Sequence, residues 1–296
     1  MTKGSGSDKI SLDYSLKYNV PMDHALAERV LKNTRQILND LHIRFFLFSG
    51  SCLGAVRDQA FIPWDDDIDI LSIVGENGIT PQLMETAIKA FENNGFYIGR
   101  MEGKYSTSFS MIKDHIRVGW DCAVPSNNNL HIFPGVVVPT KLFESPREII
   151  FLSESFLVPN PPEDYLRLKY GEEWMIPKKS GSYEADVVNK IPAGTLTGDS
   201  VWIRVIDGDG IPLTTGSVTL VGGQKAVINS EGLTEVKIPQ SDWYSLVVRY
   251  HDHEDVLYME QLAPGRTYVY ATNAMEKAAG EIQEPAGTLG NLLYEE

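Results

Sequence analysis

Four aspartates crowd the segment Ile62-Pro63-Trp64-Asp65-Asp66-Asp67-Ile68-Asp69-Ile70. Acidic runs usually lie in solvated loops, but this one is framed by apolar residues. Read as a strand, Asp67-Ile68-Asp69-Ile70 alternates faces. Ile68 and Ile70 then enter the core, while Asp67 and Asp69 project together from the other face, about 6.5 Å apart along the strand. Two carboxylates placed in this way repel each other and lose hydration unless a cation neutralises them. Hard divalent ions such as Mg²⁺ (or Mn²⁺) prefer such oxygens and leave positions open for phosphate oxygens and water. The pair suits a metal clamp on a phosphoryl group.

The residues just upstream follow a matching logic. The apolar run over 43–48 is short enough for a buried strand, and it runs into Ser49-Gly50-Ser51. Backbone N–H groups at Gly50 and Ser51 could approach a phosphate closely. A helix starting near Cys52 or Leu53 would favour an anion at its N-terminus. Arg57 follows about one and a half turns later and could add a bidentate phosphate contact. Trp64 could stack on a nucleotide base or plug the core. Asp65 and Asp66 could bind metal or simply hold the loop. A third carboxylate is expected on a neighbouring strand, and Asp121 in Val118-Gly119-Trp120-Asp121-Cys122-Ala123-Val124 is the first candidate, with Asp114 the alternative. His115 and His131 read as structural.

The elements that must position these groups are legible from punctuation and periodicity. Residues 23–40 read as a helix capped by Asp23, with Leu26, Val30, Ile37 and Leu41 near one face. Residues 80–95 carry Thr80 at the cap, Pro81 in the first turn and Gly95 at the stop. Residues 162–170 form a short helix closed by Gly171. Strands are expected at 96–100, within 108–125, near 136–138 and within 148–158. A Ser-, Gly-, Lys- and Pro-containing stretch near 180–196 reads as a linker. Beyond it helical periodicity disappears, and seven short Val-, Ile-, Thr- and Tyr-rich runs recur between glycine-containing turns, the pattern of a β-sandwich. In that half, Asp207-Gly208-Asp209-Gly210 reads as a turn rather than a calcium loop. His251-Asp252-His253 reads as a polar turn.

The fold expected is α+β: a mixed sheet with flanking helices, followed by an all-β sandwich. Its parts are a flexible leader (1–15), a catalytic domain (16–192), the sandwich (197–272) and a tail (273–296). The 296 residues are 43% hydrophobic and 22% charged, enough for sizeable cores. A net charge of −14 argues against a nucleic-acid binder, which would carry a basic face. No apolar run reaches the roughly 20 residues a membrane span needs. Only Cys52 and Cys122 occur, both in apolar contexts, which reads as reduced thiols of a cytoplasmic protein.

An isolated Asp-x-Asp is most often ordinary surface, but here it has company. A Gly-Ser strand end followed after fifteen residues by Asp-Ile-Asp-Ile resembles the nucleotidyltransferase fold, with a slightly long gap. The wording is more specific still. Gly50, Leu53-Gly54-Ala55-Val56-Arg57 and Phe61-Ile62-Pro63-Trp64-Asp65-Asp66-Asp67-Ile68-Asp69 resemble the signature of the LicD family, which includes bacterial phosphocholine transferases and fukutin-related proteins. Pro159-Asn160, Tyr165-Leu166, Tyr170-Gly171 and Trp174-Met175 with Pro177 resemble that family's closing segment, so the likeness brackets residues 23–180. The family's usual acidic phrase near the third carboxylate lacks a clean copy. His131 in Leu130-His131-Ile132-Phe133-Pro134 stands in the acidic place, which leaves the choice of Asp121 open. Residues 203–223 resemble carboxypeptidase-regulatory-like or transthyretin-like sandwich modules.

The resemblance implies transfer of phosphocholine or a polyol phosphate from a CDP-linked alcohol to a hydroxyl on a glycan, such as a teichoic-acid- or lipopolysaccharide-like acceptor, with CMP leaving. Asp67, Asp69 and Asp121 would hold the metal, and Gly50, Ser51, Arg57 and Trp64 would bind substrate. A choline group would want an aromatic cage, for which Trp64, Trp120 and Tyr105 are available. Two other readings use the same residues differently: a nucleotidyltransferase that releases pyrophosphate, and a catalytically silent glycan-binding protein whose working part is the sandwich. The sequence does not name the alcohol, the acceptor or the oligomeric state.

Overall fold

The computed structural model describes residues 6–75, 78–179, 182–272 and 292–296. The chain divides into two compact units, one of residues 1–16, 20–132 and 137–177, the other of residues 17–19, 133–136 and 178–296. The elements up to residue 177 run α1 (Gly6–Lys17), α2 (His24–Asp40), β1 (Phe46–Leu47), α3 (Ser49–Leu53), a π-helical turn (Gly54–Asp58), β2 (Asp67–Ile73), α4 (Pro81–Asn93), β3 (Tyr97–Glu102), β4 (Ser106–Lys113) and β5 (Ile116–Ala123). They continue with β6 (Asn129–Ile132), β7 (Val136–Pro139), α5 (Lys141–Glu144), β8 (Arg147–Phe151), β9 (Glu154–Val158) and α6 (Pro162–Tyr170).

The first unit is built on a five-stranded mixed sheet of order β1-β2-β5-β4-β3. Only β2 and β5 run parallel. Its two faces differ in chemistry. Ile68 and Ile70 of β2, Val118 and Trp120 of β5, and Phe109 and Met111 of β4 are all fully buried on one face. Phe91 of α4 packs on Trp120 there. The opposite face carries Asp67, Asp69, Gly119 and Asp121, flanked on β4 by Ser108 and Ser110, which pair with Asp121 and Gly119. Strict alternation thus produces an apolar face for the helices and a polar face for chemistry.

The helices begin and end where their punctuation places them. The Asp23 carboxylate accepts from Leu26 N–H at 2.9 Å and caps α2. Thr80 Oγ1 does the same for Leu83 N–H at the start of α4. Gly95 and Gly171, past the ends of α4 and α6, take φ of +84° and +93°, where glycine avoids the Cβ penalty. The opening leader departs from expectation. Residues 6–17, read as flexible up to 15, form α1, because Leu12 is buried over Gly99, which has no side chain to exclude it. The 43–48 run also differs: only Phe46 and Leu47 pair as a strand, and Ser49-Gly50-Ser51 opens α3 rather than ending β1.

In the second unit, the expected linker contains α7 (Ser182–Lys190), whose Tyr183, Val187 and Val188 recur at helical spacing and are buried. The strands are β10 (Asp199–Ile206), β11 (Ser217–Leu220), β12 (Lys225–Val227), β13 (Leu233–Ile238), β14 (Asp242–Tyr250), β15 (His253–Leu262), β16 (Thr267–Ala271) and β17 (Tyr294–Glu295). They form two four-stranded sheets, β13-β10-β16-β17 and β12-β11-β14-β15. Val201, Ile203, Val218, Leu246, Leu257 and Tyr270, drawn from both sheets, share one buried cluster. Asp207 Oδ1 accepts from the N–H groups of Asp209 and Ile211, so the Asp-Gly-Asp-Gly segment is a self-bonded turn. His251 and Asp252 turn the hairpin between β14 and β15. Of the expected tail, residues 273–291 lie outside the described residues, while Tyr294 and Glu295 pair with β16.

Glu260 on β15 is buried and accepts from the backbone N–H groups of Leu292 at 2.6 Å and Leu293 at 3.1 Å. Burial raises its pKa to about 7, against the lowering effect of those two hydrogen bonds. A carboxyl with a raised folded-state pKa stabilises most below its unfolded value of 4.5, and the contribution falls as pH rises through 7. The second unit should therefore lose on the order of 2–3 kcal/mol between pH 4.5 and 7.5 from this group. Urea melts of the wild type and Glu260→Gln across that range check it. The variant should show a flatter dependence, and parallel curves would contradict the assignment.

Candidate active site

The polar face of the first unit's sheet brings most of the expected site residues together. Asp67 and Asp69 leave β2 on the same side, and β5 sets Gly119 beside Asp69 and Asp121 beside Leu71. Asp121 therefore shares their face, and Ser108 Oγ donates to its carboxylate. Asp114 does not share it: with His115 it forms the exposed β4–β5 hairpin turn, both at positive φ. Gly119 leaves room in front of the pair, since a Cβ there would lie 3.8 Å from both Asp67 Oδ2 and Asp69 Oδ1.

Asp69 is the most elaborately held of the group. Gly50 N–H donates to its Oδ2 at 2.9 Å, and its own N–H donates to Ser51 Oγ at 2.9 Å. Gly50 and Ser51, expected to face a phosphate, thus position a carboxylate. Gly50 leaves the Asp65 carboxylate its place, because a Cβ would meet Asp65 Oδ2 at 2.8 Å and force a shift. Ser49, at φ +37°, is held in that conformation as its N–H donates to the buried Tyr165 hydroxyl at 3.0 Å. Burial and the neighbouring Asp67 charge push the Asp69 pKa well above the usual carboxylate range, Asp121 adds to this, and Gly50 N–H and Lys169 oppose it. The site resists a bare dianionic state, as a cation-binding carboxylate pair should.

The carboxylates of Asp65, Asp66 and Asp67 converge, with one ligand atom from each lying within 4.8 Å of the others. This Asp-rich triad could hold a metal ion. Its oxygens are the hard donors that Mg²⁺ and Mn²⁺ take, so the donor set fits. Asp65 and Asp66 are accordingly part of the acidic centre as well as of the loop, whose Asp65 backbone binds Met22 N–H and Ile62 O.

The Arg57 side chain is almost fully buried, with Nε and Nη2 on the Asp58 carboxylate and Nη1 donating to Trp174 O, so it ties the π-helical turn to the segment after α6. Trp64 is half-buried in the turn that leads into the aspartates. Trp120 points into the core, between Phe91 and Phe109. Tyr105 stacks on His131, ring centroids 4.0 Å apart.

Two cations at the site were not singled out from the sequence. Arg117 of β5 is buried and pairs with Asp67 at 2.9 Å and with Asp66. Lys169 of α6 is buried and acts on Asp69 electrostatically. Both left a signal. Arg117, Gly119 and Asp121 alternate with Ile116, Val118 and Trp120, which puts Arg117 on the carboxylate face. Lys169 follows Tyr165 by four and Leu166 by three, which puts it on the buried face of α6.

Among known proteins, the family model described as "LicD/FKTN/FKRP, nucleotidyltransferase domain" matches residues 42–156. The mouse (Mus musculus) protein named ribitol-5-phosphate transferase FKTN is 25% identical over 197 residues, 61% of this chain and 40% of that one. An uncharacterized protein of Rickettsia prowazekii is 35% identical over 83 residues, 28% of this chain and 30% of that one. The chain thus spans well under half the length of these two curated relatives. A solved antigenic nucleotidyltransferase-like protein from Paracoccidioides brasiliensis aligns with a TM-score of 0.33 and 12% identity, over 60% of this chain and 80% of that one. The match to the LicD/FKTN/FKRP nucleotidyltransferase domain over residues 42–156 takes in β2 and β5 with their carboxylates.

Proposed function

We propose that the chain is a metal-dependent phosphotransferase that moves an alcohol phosphate from a CDP-linked donor to a glycan hydroxyl and releases CMP. The observation that carries this reading is the pairing of Asp67 and Asp69 on one face of β2, with Asp121 on the parallel neighbour and side-chain-free space at Gly119. Asp67 and Asp69, with Asp121 or with the converging Asp65 and Asp66, would hold Mg²⁺ or Mn²⁺. A bound divalent ion would neutralise the diphosphate and polarise the transferring phosphoryl group. The protein's own groups orient the acids: Gly50 and Ser51 fix Asp69, Ser108 fixes Asp121, and Arg117 fixes Asp66 and Asp67. The acceptor hydroxyl attacks the alcohol phosphate, its proton passes to a carboxylate such as Asp121, and the bond to CMP breaks. Positioning and electrostatics supply most of the rate.

A polyol phosphate is favoured over phosphocholine. Trp120 is committed to the core, which removes one of the three rings a quaternary ammonium cage would use. The relative named as a ribitol-5-phosphate transferase supports the same choice. The first unit, which ends at residue 177 rather than 192, would be catalytic, and the all-β unit over 197–272 would bind acceptor glycan.

The test is turnover of CDP-ribitol, CDP-glycerol and CDP-choline with Mg²⁺ or Mn²⁺ and a panel of glycan acceptors. Metal-dependent CMP release from a CDP-polyol is the expected result. Pyrophosphate release from CTP would identify a nucleotidyltransferase instead. Binding of glycan by the whole chain without any turnover would identify a silent binding protein.

A further inference from the structure

Arg117 reaches across the acidic centre with its entire fork in use. Nη2 pairs with Asp67 at 2.9 Å and with Asp66, Nε donates to Asp67 Oδ2 at 3.1 Å, and Nη1 donates to Ser15 O of α1 at 2.7 Å. The Arg117 side chain is 7% exposed, and those of its partners Asp66 and Asp67 are 18% and 20% exposed. Solvent therefore screens these pairs little. A guanidinium keeps its proton at any working pH, so its charge cannot be removed to make way for another cation. Two of the three carboxylates that converge there thus already share one positive charge from within the chain.

We propose that Arg117 is a built-in counter-cation that competes with a divalent metal for Asp66 and Asp67 and so sets the metal affinity of the site. This rests on the metal-dependent reading above. A metal entering the cluster must share or displace the oxygens that Arg117 holds, and it meets a fixed positive charge at close range. The same arrangement offsets part of the negative charge of the acidic centre. It also links the cluster to α1, because the one side chain serves both.

The discriminating measurement is Mn²⁺ binding to the full chain by titration calorimetry, for the wild type, Arg117→Gln and Arg117→Lys, together with the rise in melting temperature on adding Mn²⁺. A residue that only supports the ligands would, when removed, weaken metal binding. A competing cation would, when removed, tighten it. Arg117→Gln should bind Mn²⁺ roughly tenfold or more tightly than the wild type, with a larger Mn²⁺-induced rise in melting temperature. Arg117→Lys, which keeps the charge but loses the fork, should fall between them. It carries the test if Arg117→Gln does not fold. Equal or weaker binding by the variant measured would overturn the proposal while leaving the metal-dependent reading intact. Binding by neither wild type nor variants would overturn both.

Discussion

Asp69→Asn is expected to lower CMP release by at least ~100-fold, the usual scale for losing a main electrostatic contributor, without lowering the melting temperature. The substitution is nearly isosteric. The asparagine Oδ1 can still accept from Gly50 N–H, and the backbone N–H still reaches Ser51 Oγ, so the local geometry survives. What disappears is a negative charge that Asp67 and Asp121 already oppose. Folding therefore gains or stays level, while the attraction for a cation is lost. Asp67→Asn should be equally inactive but slightly less stable, because Asp67 also pairs with Arg117. Near-full turnover in both variants would sink the metal role of β2. A collapse in melting temperature for Asp69→Asn would mean that the carboxylate is structural.

The second large effect is on stability. Trp120→Ala should cost the first unit about 3–5 kcal/mol, the usual range for truncating a buried large aromatic. Trp120 has no exposed surface, its ring centroid lies 5.2 Å from that of Phe109 and 5.8 Å from that of Phe91, and its Nε1–H donates to Ser72 Oγ at 3.1 Å. Truncation would open a cavity beneath the strand that carries Asp121 and leave Ser72 without this donor. Trp64→Ala, half-buried in a turn, should cost far less. Chemical denaturation followed by far-UV circular dichroism compares the two. Equal losses would show that Trp64 is as deeply embedded as Trp120.

The contrast between the two tryptophans shows where sequence reading reaches its limit. Trp120 lies next to Asp121 in the chain and looks available to a ligand. The strand's period of two sends the neighbours to opposite faces, one into the core and one to the site. The same period, read along Ile116–Ala123, also points Arg117 at the aspartates. Local residue order held that information, but its use required knowing that β5 lies parallel to β2.

Much was determined by the sequence alone. The caps at Asp23 and Thr80, the stops at Gly95 and Gly171, the alternation of Asp67-Ile68-Asp69-Ile70 and the rhythm of seven strands in the second half all follow from backbone chemistry within a few residues. The LicD-type wording around Gly50 to Asp69 was likewise readable as text. Only the tertiary structure decided what those groups face. It turned the Gly50 and Ser51 polar groups onto Asp69 and closed Arg57 against Asp58 and Trp174. It folded the apparent leader into α1 over Gly99 and brought Arg117 and Lys169 to the carboxylates. The physical reason is range. Caps, turns and alternation are set by covalent neighbours, whereas a buried charge or donor takes its partner from whichever distant segment the packing delivers, and Arg117 finds Asp66 and Asp67 from fifty residues away along the chain.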